Sequence, residues 1–429
     1  MQKHSLKFVD LFAGIGGFRI GFEQALSSFG MSGECVFSSE INAYAASVYK
    51  DNFGEVPTGD IREVEEIPEH DVLLAGFPCQ SFSYAGKRAG FGDTRGTLFF
   101  EIERLIDKQK NKPNFIILEN VRGFTTHDNG RTYATVLRSL ERLGYSTKGV
   151  LLNSSDFGVP QNRVRVYIIA TLNHEIRFYI DSNVGFADSH RAKEKNAQKT
   201  FFDDDSVSQI TVKDILEDKV NKKFMCSERF RKQLKNALNG KLFESLHGVR
   251  LIDYRGGNSL HSWDLGIKGK CTIDERNFMN LLIQNRRKKH FGTHQDGKRL
   301  SIEQIETFWT KSNLMEIISS LVNKGYLSDK DGLFNPVAGN MSFEVFKFLD
   351  PDSISITLVS SDANRLGIVQ NGIPRRITPR ECARLQGFPD FFKVHPVDKW
   401  AYHQFGNTVS VPVIKAISTE LLQKNLIIV

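Results

Sequence analysis

From residue 7 to residue 170 the sequence alternates short, almost wholly apolar runs with segments of helical spacing, which leaves few architectures open to it. The runs cover residues 7–13, 35–39, 71–75 (DVLLA), 115–118 (FIIL), 149–152 and 164–170 (VRVYIIA). They are short for core helices and lack the polar alternation of half-exposed strands, so they read as strands buried on both faces. Between them, residues 18–29 and 43–52 carry helical patterns. Leu98, Phe99, Ile102, Leu105 and Ile106 recur at the spacing that gives a helix one apolar face. Buried strands separated by helices predict an α/β fold, a mostly parallel sheet covered on both sides.

The rhythm stops near residue 175. Residues 173–205 are polar, and the stretch to about residue 373 is mixed, basic and glycine-rich, with its strongest positive cluster in NRRKK at 285–289. From Arg375 the rhythm returns, and residues 411–424 read as a closing helix. A chain of 429 residues exceeds one ordinary core. The expected organisation is a first domain of residues 1–175 plus 375–429, interrupted by a second of residues 176–374.

Composition narrows the class. No run approaches the ~18 apolar residues of a membrane span. The opening MQKHSLKFVDLF reads as a first strand and not as a signal peptide, so an intracellular protein is expected. Cys35, Cys79, Cys226, Cys271 and Cys382 are odd in number and never spaced C-x-x-C, which argues against a disulfide framework and a structural zinc site. A net charge of +7 suits a polyanionic partner without proving one.

The chemistry-bearing residues fall at the ends of the apolar runs. Asp10 to Phe18 (DLFAGIGGF) is a strand ending in glycines that runs into a helix, a place where backbone approaches a ligand closely. A dinucleotide fingerprint wants glycine at position 19, where this chain has Arg19, so a cofactor without a pyrophosphate fits better. Glu40 ends the second run, where a carboxylate can accept both hydroxyls of a ribose. Asp60 is expected at the end of the next strand region, within reach of an adenine amino group. Cys79 follows DVLLA in GFPCQSFS. A lone cysteine is usually an inert core residue, but a Pro-Cys-Gln turn at a strand's carboxyl end suits a reactive thiolate. Glu119 follows FIIL in the same way. Arg163 and Arg165, two apart, point to one face if they lie on a strand.

Taken together, DLFAGIGGF, GFPCQSFS, Glu119-Asn120-Val121, Gln161 to Arg165, RITPRECARLQGFP and Gly406-Asn407-Thr408-Val409 resemble, in order and spacing, the cytosine-5 DNA methyltransferases. The compact bacterial enzymes of restriction–modification systems are the similar group. The resemblance covers about residues 7–170 and 375–425. It implies a Rossmann-like S-adenosylmethionine-dependent catalytic domain, with residues 176–374 as an inserted target-recognition domain. It implies Cys79 as the nucleophile that adds to cytosine C6, Glu119 at the ring N3, and Arg165 with Arg163 at O2. S-adenosyl-L-methionine would meet Phe12, Gly14, Gly16, Gly17, Phe18, Glu40, Ile41, Asp60, Ile61, Pro78, Asn407 and Val409.

The resemblance also implies double-stranded DNA as partner, with the target base flipped out of the helix. Ser83, Lys87 and Arg95 would lie in a lid that closes over it, and Arg286, Arg287 and Arg365 would touch DNA, with Thr357-Leu358 and residues 362–365 the first place to look for base contacts. A monomer in the bacterial cytoplasm, near the nucleoid, with no metal and a cognate endonuclease encoded nearby, completes the expectation. A tRNA cytosine-5 methyltransferase and a non-catalytic DNA-binding protein on the same scaffold are the alternatives.

Overall fold

The computed structural model describes residues 5–78, 98–180, 210–253, 256–292, 298–337 and 343–425. Cys79, Ser83, Lys87 and Arg95 lie outside the described residues. The chain divides into two compact units. The first comprises Met1–Ile215, Ile354–Ala363 and Pro379–Val429; the second comprises Leu216–Ser353 and Asn364–Thr378. Residues 354–363, assigned to the insert from sequence, are thus grouped with the first unit.

The first unit is built on β1 (Ser5–Leu11), α1 (Gly17–Ser28), β2 (Ser32–Ser39), α2 (Ala43–Phe53), β3 (Val72–Ala75), α3 (Leu98–Asp107), β4 (Phe115–Val121), α4 (Arg131–Arg142), β5 (Tyr145–Asn153) and β6 (Val164–Leu172). Its sheet has the order β2-β1-β3-β4-β6-β5. β1 pairs in parallel with β2 and β3, and β3 with β4, whereas β6 runs antiparallel to both β4 and β5.

The strands are apolar on both faces because each face carries helices. Val9, Leu73, Ile116, Leu118 and Ile168 share one core with Phe99, Ile102, Leu105 and Ile106 of α3 and with Val136 and Leu140 of α4. The alternate residues Phe8, Val72, Leu74, Ile117 and Ile169 share the other with Phe22 and Leu26 of α1.

The second unit carries α5 (Glu228–Leu238), β7 (Arg250–Leu251), β8 (Ser259–Leu260), α6 (Ser262–Leu265), α7 (Ile273–Asn285), α8 (Ile302–Glu306), α9 (Leu314–Asn323), β9 (Leu327–Lys330), β10 (Leu333–Pro336), β11 (Lys347–Phe348), β12 (Leu366–Gln370) and β13 (Ile373–Arg376). Its larger sheet has the order β13-β12-β11-β7-β8, and β9 and β10 form a separate hairpin. A helical core around Trp263, Phe278, Leu282, Trp309 and Leu321 lies within this unit.

The chain then returns to the first unit with α10 (Pro379–Leu385), α11 (Asp398–Asn407) and α12 (Val411–Asn425). Val413, Ile414 and Ile417 of α12 complete the core over α1. No helix among the described residues is long and apolar enough to cross a membrane.

Candidate active site

Strand direction decides which residues meet. The chain passes from β1 to β2 on one side and then crosses from β2 to β3 on the other side of β1, so a crevice opens at the carboxyl ends of these strands. The glycine loop leaves the end of β1, Glu40 the end of β2, residues 76–78 the end of β3, and Glu119 lies near the end of β4. β6 is reversed, so its beginning reaches the same edge: Arg165 pairs with Val121 across the ladder. A cavity of about 890 Å³ occupies this edge. Ligand clefts commonly measure roughly 300–1,000 Å³.

The loop after β1 is tightly wound. Phe12 has φ 55, in the left-handed region, and Gly16 has φ 86. A Cβ on Gly16 would lie 2.3 Å from Cε2 of Phe53, so this glycine lets α2 pack under the loop. Gly16 does not line the cavity, in contrast to the sequence expectation; Phe12, Gly14, Gly17 and Phe18 do. A Cβ on Gly17 would meet Thr408 Oγ1 at 2.6 Å and Val409 Cγ2 at 3.0 Å, which is how the C-terminal motif reaches the loop.

Arg19, which stands where the dinucleotide pattern has glycine, bonds Glu23 at 2.9 Å and Glu55 at 3.0 Å and covers the Phe53 ring at 4.4 Å. Beneath the loop, the fully buried Asp10 carboxylate has no hydrogen-bond partner among the described residues. Burial pushes its pKa up to about 8, against the pull of Arg19.

Glu40 accepts hydrogen bonds from the Gly14 N–H at 2.8 Å and the Asn42 N–H at 2.7 Å, one on each carboxylate oxygen. It therefore fixes the glycine loop to the start of α2 and keeps lone pairs for a ligand. Burial raises its pKa, and the two amides pull it back. Ile41, 69% exposed, offers an apolar side chain to the cavity next to it, and Ile61 lines the same end.

Asp60 departs from its expected place at a strand end. The preceding segment pairs only through an isolated bridge between Ser39 and Thr58, and Asp60 caps a short 3₁₀ turn, Ile61–Glu63. Its carboxylate accepts from Arg62 Nε at 2.9 Å while still lining the cavity.

At the other end of the cavity Glu119 meets Arg165, Nε to Oε1 at 3.1 Å. Burial lifts the Glu119 carboxyl above the usual carboxylate range, opposed first by Arg165 and then by Arg163. Arg163 is almost fully buried. It donates to the backbone carbonyls of Leu358 at 3.0 Å and Thr408 at 2.7 Å, and burial lowers its pKa to about 10. It thus holds the walls, while Arg165 holds the carboxylate. Pro78 lines the cavity immediately before Cys79 in the chain, and Asn407 and Val409 line it from the C-terminal motif.

Three contributors were not singled out in the sequence. Asn120 donates to the Phe77 carbonyl at 3.0 Å, tying the end of β4 to the segment that leads to Cys79. Gln161, fully buried, donates to the Leu385 carbonyl at 2.8 Å and accepts from the Leu358 N–H at 2.9 Å. His403 lines the cavity one helical turn before Asn407. Asn120 and Gln161 stand inside motifs legible in the sequence, whereas His403 shows only as a titratable residue four before Asn407 on a helix.

In the second unit the arginines separate. Arg287 is exposed at the end of α7, and Arg365 is half-buried, its Nε donating to the Phe343 carbonyl at 3.3 Å. Arg286 is 1% exposed. Its guanidinium cannot reach a phosphate from there, so the sequence reading of Arg286 as a DNA contact is corrected: it is an interior residue.

The model of the C-5 cytosine-specific DNA methylase family matches residues 6–423. The chain is 60% identical to the type II methyltransferase M.BanI of Aneurinibacillus aneurinilyticus, over 98% of its own length and 96% of that protein's. It is 57% identical to M.HgiCI of Herpetosiphon aurantiacus, over 97% and 98% of the two chains. The Entamoeba histolytica methyltransferase EhMeth has a similar fold, with a TM-score of 0.52 at 16% identity over 98% of this chain and 99% of that one. The chain belongs to the C-5 cytosine-specific DNA methylase family.

Proposed function

We propose that this DNA cytosine-5 methyltransferase works through a covalent bond between Cys79 and cytosine C6, at one short double-stranded site, as the modification half of a restriction–modification system. The observation that carries the reading is the Glu119–Arg165 pair, held at the same strand edge as Glu40 and Pro78. Type II methyltransferases from bacteria, 60% and 57% identical over nearly the whole chain, support the biological setting and an endonuclease partner.

S-adenosylmethionine, when bound, supplies a methyl group activated on sulfur. The residues fit it: Glu40 has lone pairs for ribose hydroxyls, Ile41 and Ile61 offer apolar surface to an adenine, and Asn407 and Val409 close the methionine end. Asp60 would meet the adenine amino group with the oxygen surface that Arg62 leaves.

Cytosine C5 is a weak nucleophile. The Cys79 thiolate adds to C6, and the electron pair of the C5–C6 bond becomes available at C5. Glu119, whose pKa burial raises against the pull of Arg165 and Arg163, gives a hydrogen bond or its proton to N3 as charge develops in the ring. Arg165 steadies O2 and the Glu119 carboxyl together. Once C5 carries the methyl group, its proton passes to water, the C5–H pair re-forms the C5–C6 double bond and expels the Cys79 thiolate, and any proton held at N3 returns to Glu119. The target base reaches the crevice by leaving the duplex, with Ser83, Lys87 and Arg95 in the covering lid. The second unit, with Arg287 and Arg365, reads the site.

The test is methyl transfer from labelled S-adenosylmethionine to unmethylated genomic DNA and, in parallel, to tRNA, followed by bisulfite mapping. 5-Methylcytosine at one short DNA motif is expected. Label confined to tRNA would overturn the substrate assignment, and full activity of Cys79→Ser would overturn the covalent route.

A further inference from the structure

Of the basic side chains that line the cavity, one contacts neither an acid nor a main-chain carbonyl among the described residues. S-adenosylmethionine brings a sulfonium, an ammonium and a carboxylate. Among the described lining residues the acids are Glu40, Asp60, Glu101 and Glu119, of which Asp60, Glu101 and Glu119 are already paired with Arg62, Arg104 and Arg165. The arginines are committed. Arg62 bonds Asp60, Arg165 bonds Glu119, and Arg163 donates to main-chain carbonyls. The remaining basic side chain on the described wall is His403. Its recorded polar contact is with Asn407, whose Nδ2 lies 3.3 Å from Nδ1 and 3.4 Å from Nε2.

Position agrees with charge. α11 is fastened at its middle, where Gln404 Nε2 donates to the Tyr44 carbonyl at 2.9 Å, and just past its end, where Thr408 and Val409 abut Gly17. His403 and Asn407, four residues apart, share one side of this anchored helix. Both line the cavity, so a carboxylate that Asn407 meets lies within one helical turn of His403.

We propose that His403 binds the α-carboxylate of S-adenosylmethionine, with Asn407 orienting the imidazole. The imidazole supplies an N–H to the carboxylate, and a full positive charge when protonated.

Calorimetric titration of the free enzyme, without DNA, tests this with two ligands: S-adenosylmethionine and its decarboxylated analogue. His403→Ala is expected to weaken binding of the first about ten-fold, the scale of a lost hydrogen bond to a charged group. The decarboxylated analogue should bind His403→Ala and the wild type equally. His403→Lys should restore affinity for the carboxylate-bearing ligand, and thermal melting of each variant monitors folding. Equal losses for the two ligands would make His403 a packing residue and overturn the proposal. Unchanged affinity for both, or a loss confined to DNA binding, would overturn it as well. Wild-type binding of S-adenosylmethionine in the same series keeps this outcome separate from the cofactor assignment.

Discussion

Arg165 Nε stands 3.1 Å from Glu119 Oε1, joining a strand that enters the catalytic edge to one that leaves it. The pair sets two opposed influences on a single proton. Burial favours the neutral acid, and the guanidinium favours the anion. If neutral Glu119 is the working form, turnover falls as pH rises through its pKa. Removing the positive charge with Arg165→Gln raises that pKa further, so the basic limb of the kcat–pH profile should move to higher pH while kcat itself drops. A basic limb that stays put, or moves to lower pH, would separate Glu119 from the profile.

Cys79→Ser should abolish methyl transfer while the affinity for S-adenosylmethionine, read by calorimetry, stays within about two-fold, because no cofactor contact argued above uses the thiol. With wild-type enzyme, a cytosine analogue bearing fluorine at C5 should trap a protein–DNA adduct that survives denaturing electrophoresis, and the serine variant should give none.

Glu40→Gln keeps the shape of the side chain but removes the charge that receives the Gly14 and Asn42 amides. One oxygen becomes a donor group facing a donor. Charge-assisted hydrogen bonds contribute about 1.5–3 kcal/mol, so affinity for S-adenosylmethionine should fall by roughly ten-fold or more. Unchanged binding would take Glu40 out of the site.

Asp10 makes a prediction about stability. Its native pKa of about 8 lies above the ~3.9 of an unfolded aspartate. Between these values the folded chain holds the proton more tightly than the unfolded one, so this residue's contribution declines as pH rises from about 4 to 8. Asp10→Asn cannot ionise. The melting temperature of the variant relative to wild type should therefore improve between pH 5 and pH 8. A constant difference across that range would show that the folded-state pKa of Asp10 is not raised above the unfolded one.

Much of the first unit was legible because its strands are buried on both faces. Val72–Ala75 is wholly buried, and an apolar run such as DVLLA has no other use in an alternating chain. The direction of β6 was not legible. VRVYIIA reads the same whichever way the strand runs, yet its reversal is what brings Arg163 and Arg165 to the catalytic edge. Asp60 was misplaced because a single bridged pair looks like a strand end in sequence.

The second unit was harder for a related reason. β7, β8 and β11 are two residues long, too short for any periodicity. Arg286 and Arg287 are indistinguishable in NRRKK, but the turn that follows α7 buries one and exposes the other. Gln161 was quoted as part of a motif, and its burial between Leu385 and Leu358 depends on segments more than 190 positions away.

Those distant partners carry a consequence of their own. Gln161 and Arg163 bind Leu358, Thr408 and Leu385 directly, so the segment returning near residue 354 is fastened by side chains that precede the excursion. The intervening chain then behaves as a loop with both ends pinned. Lengthening such a loop is cheap: each doubling adds only about 0.6 kcal/mol of closure entropy. That intervening stretch can accordingly be lengthened, shortened or rewritten while the sheet edge of the first unit keeps its arrangement.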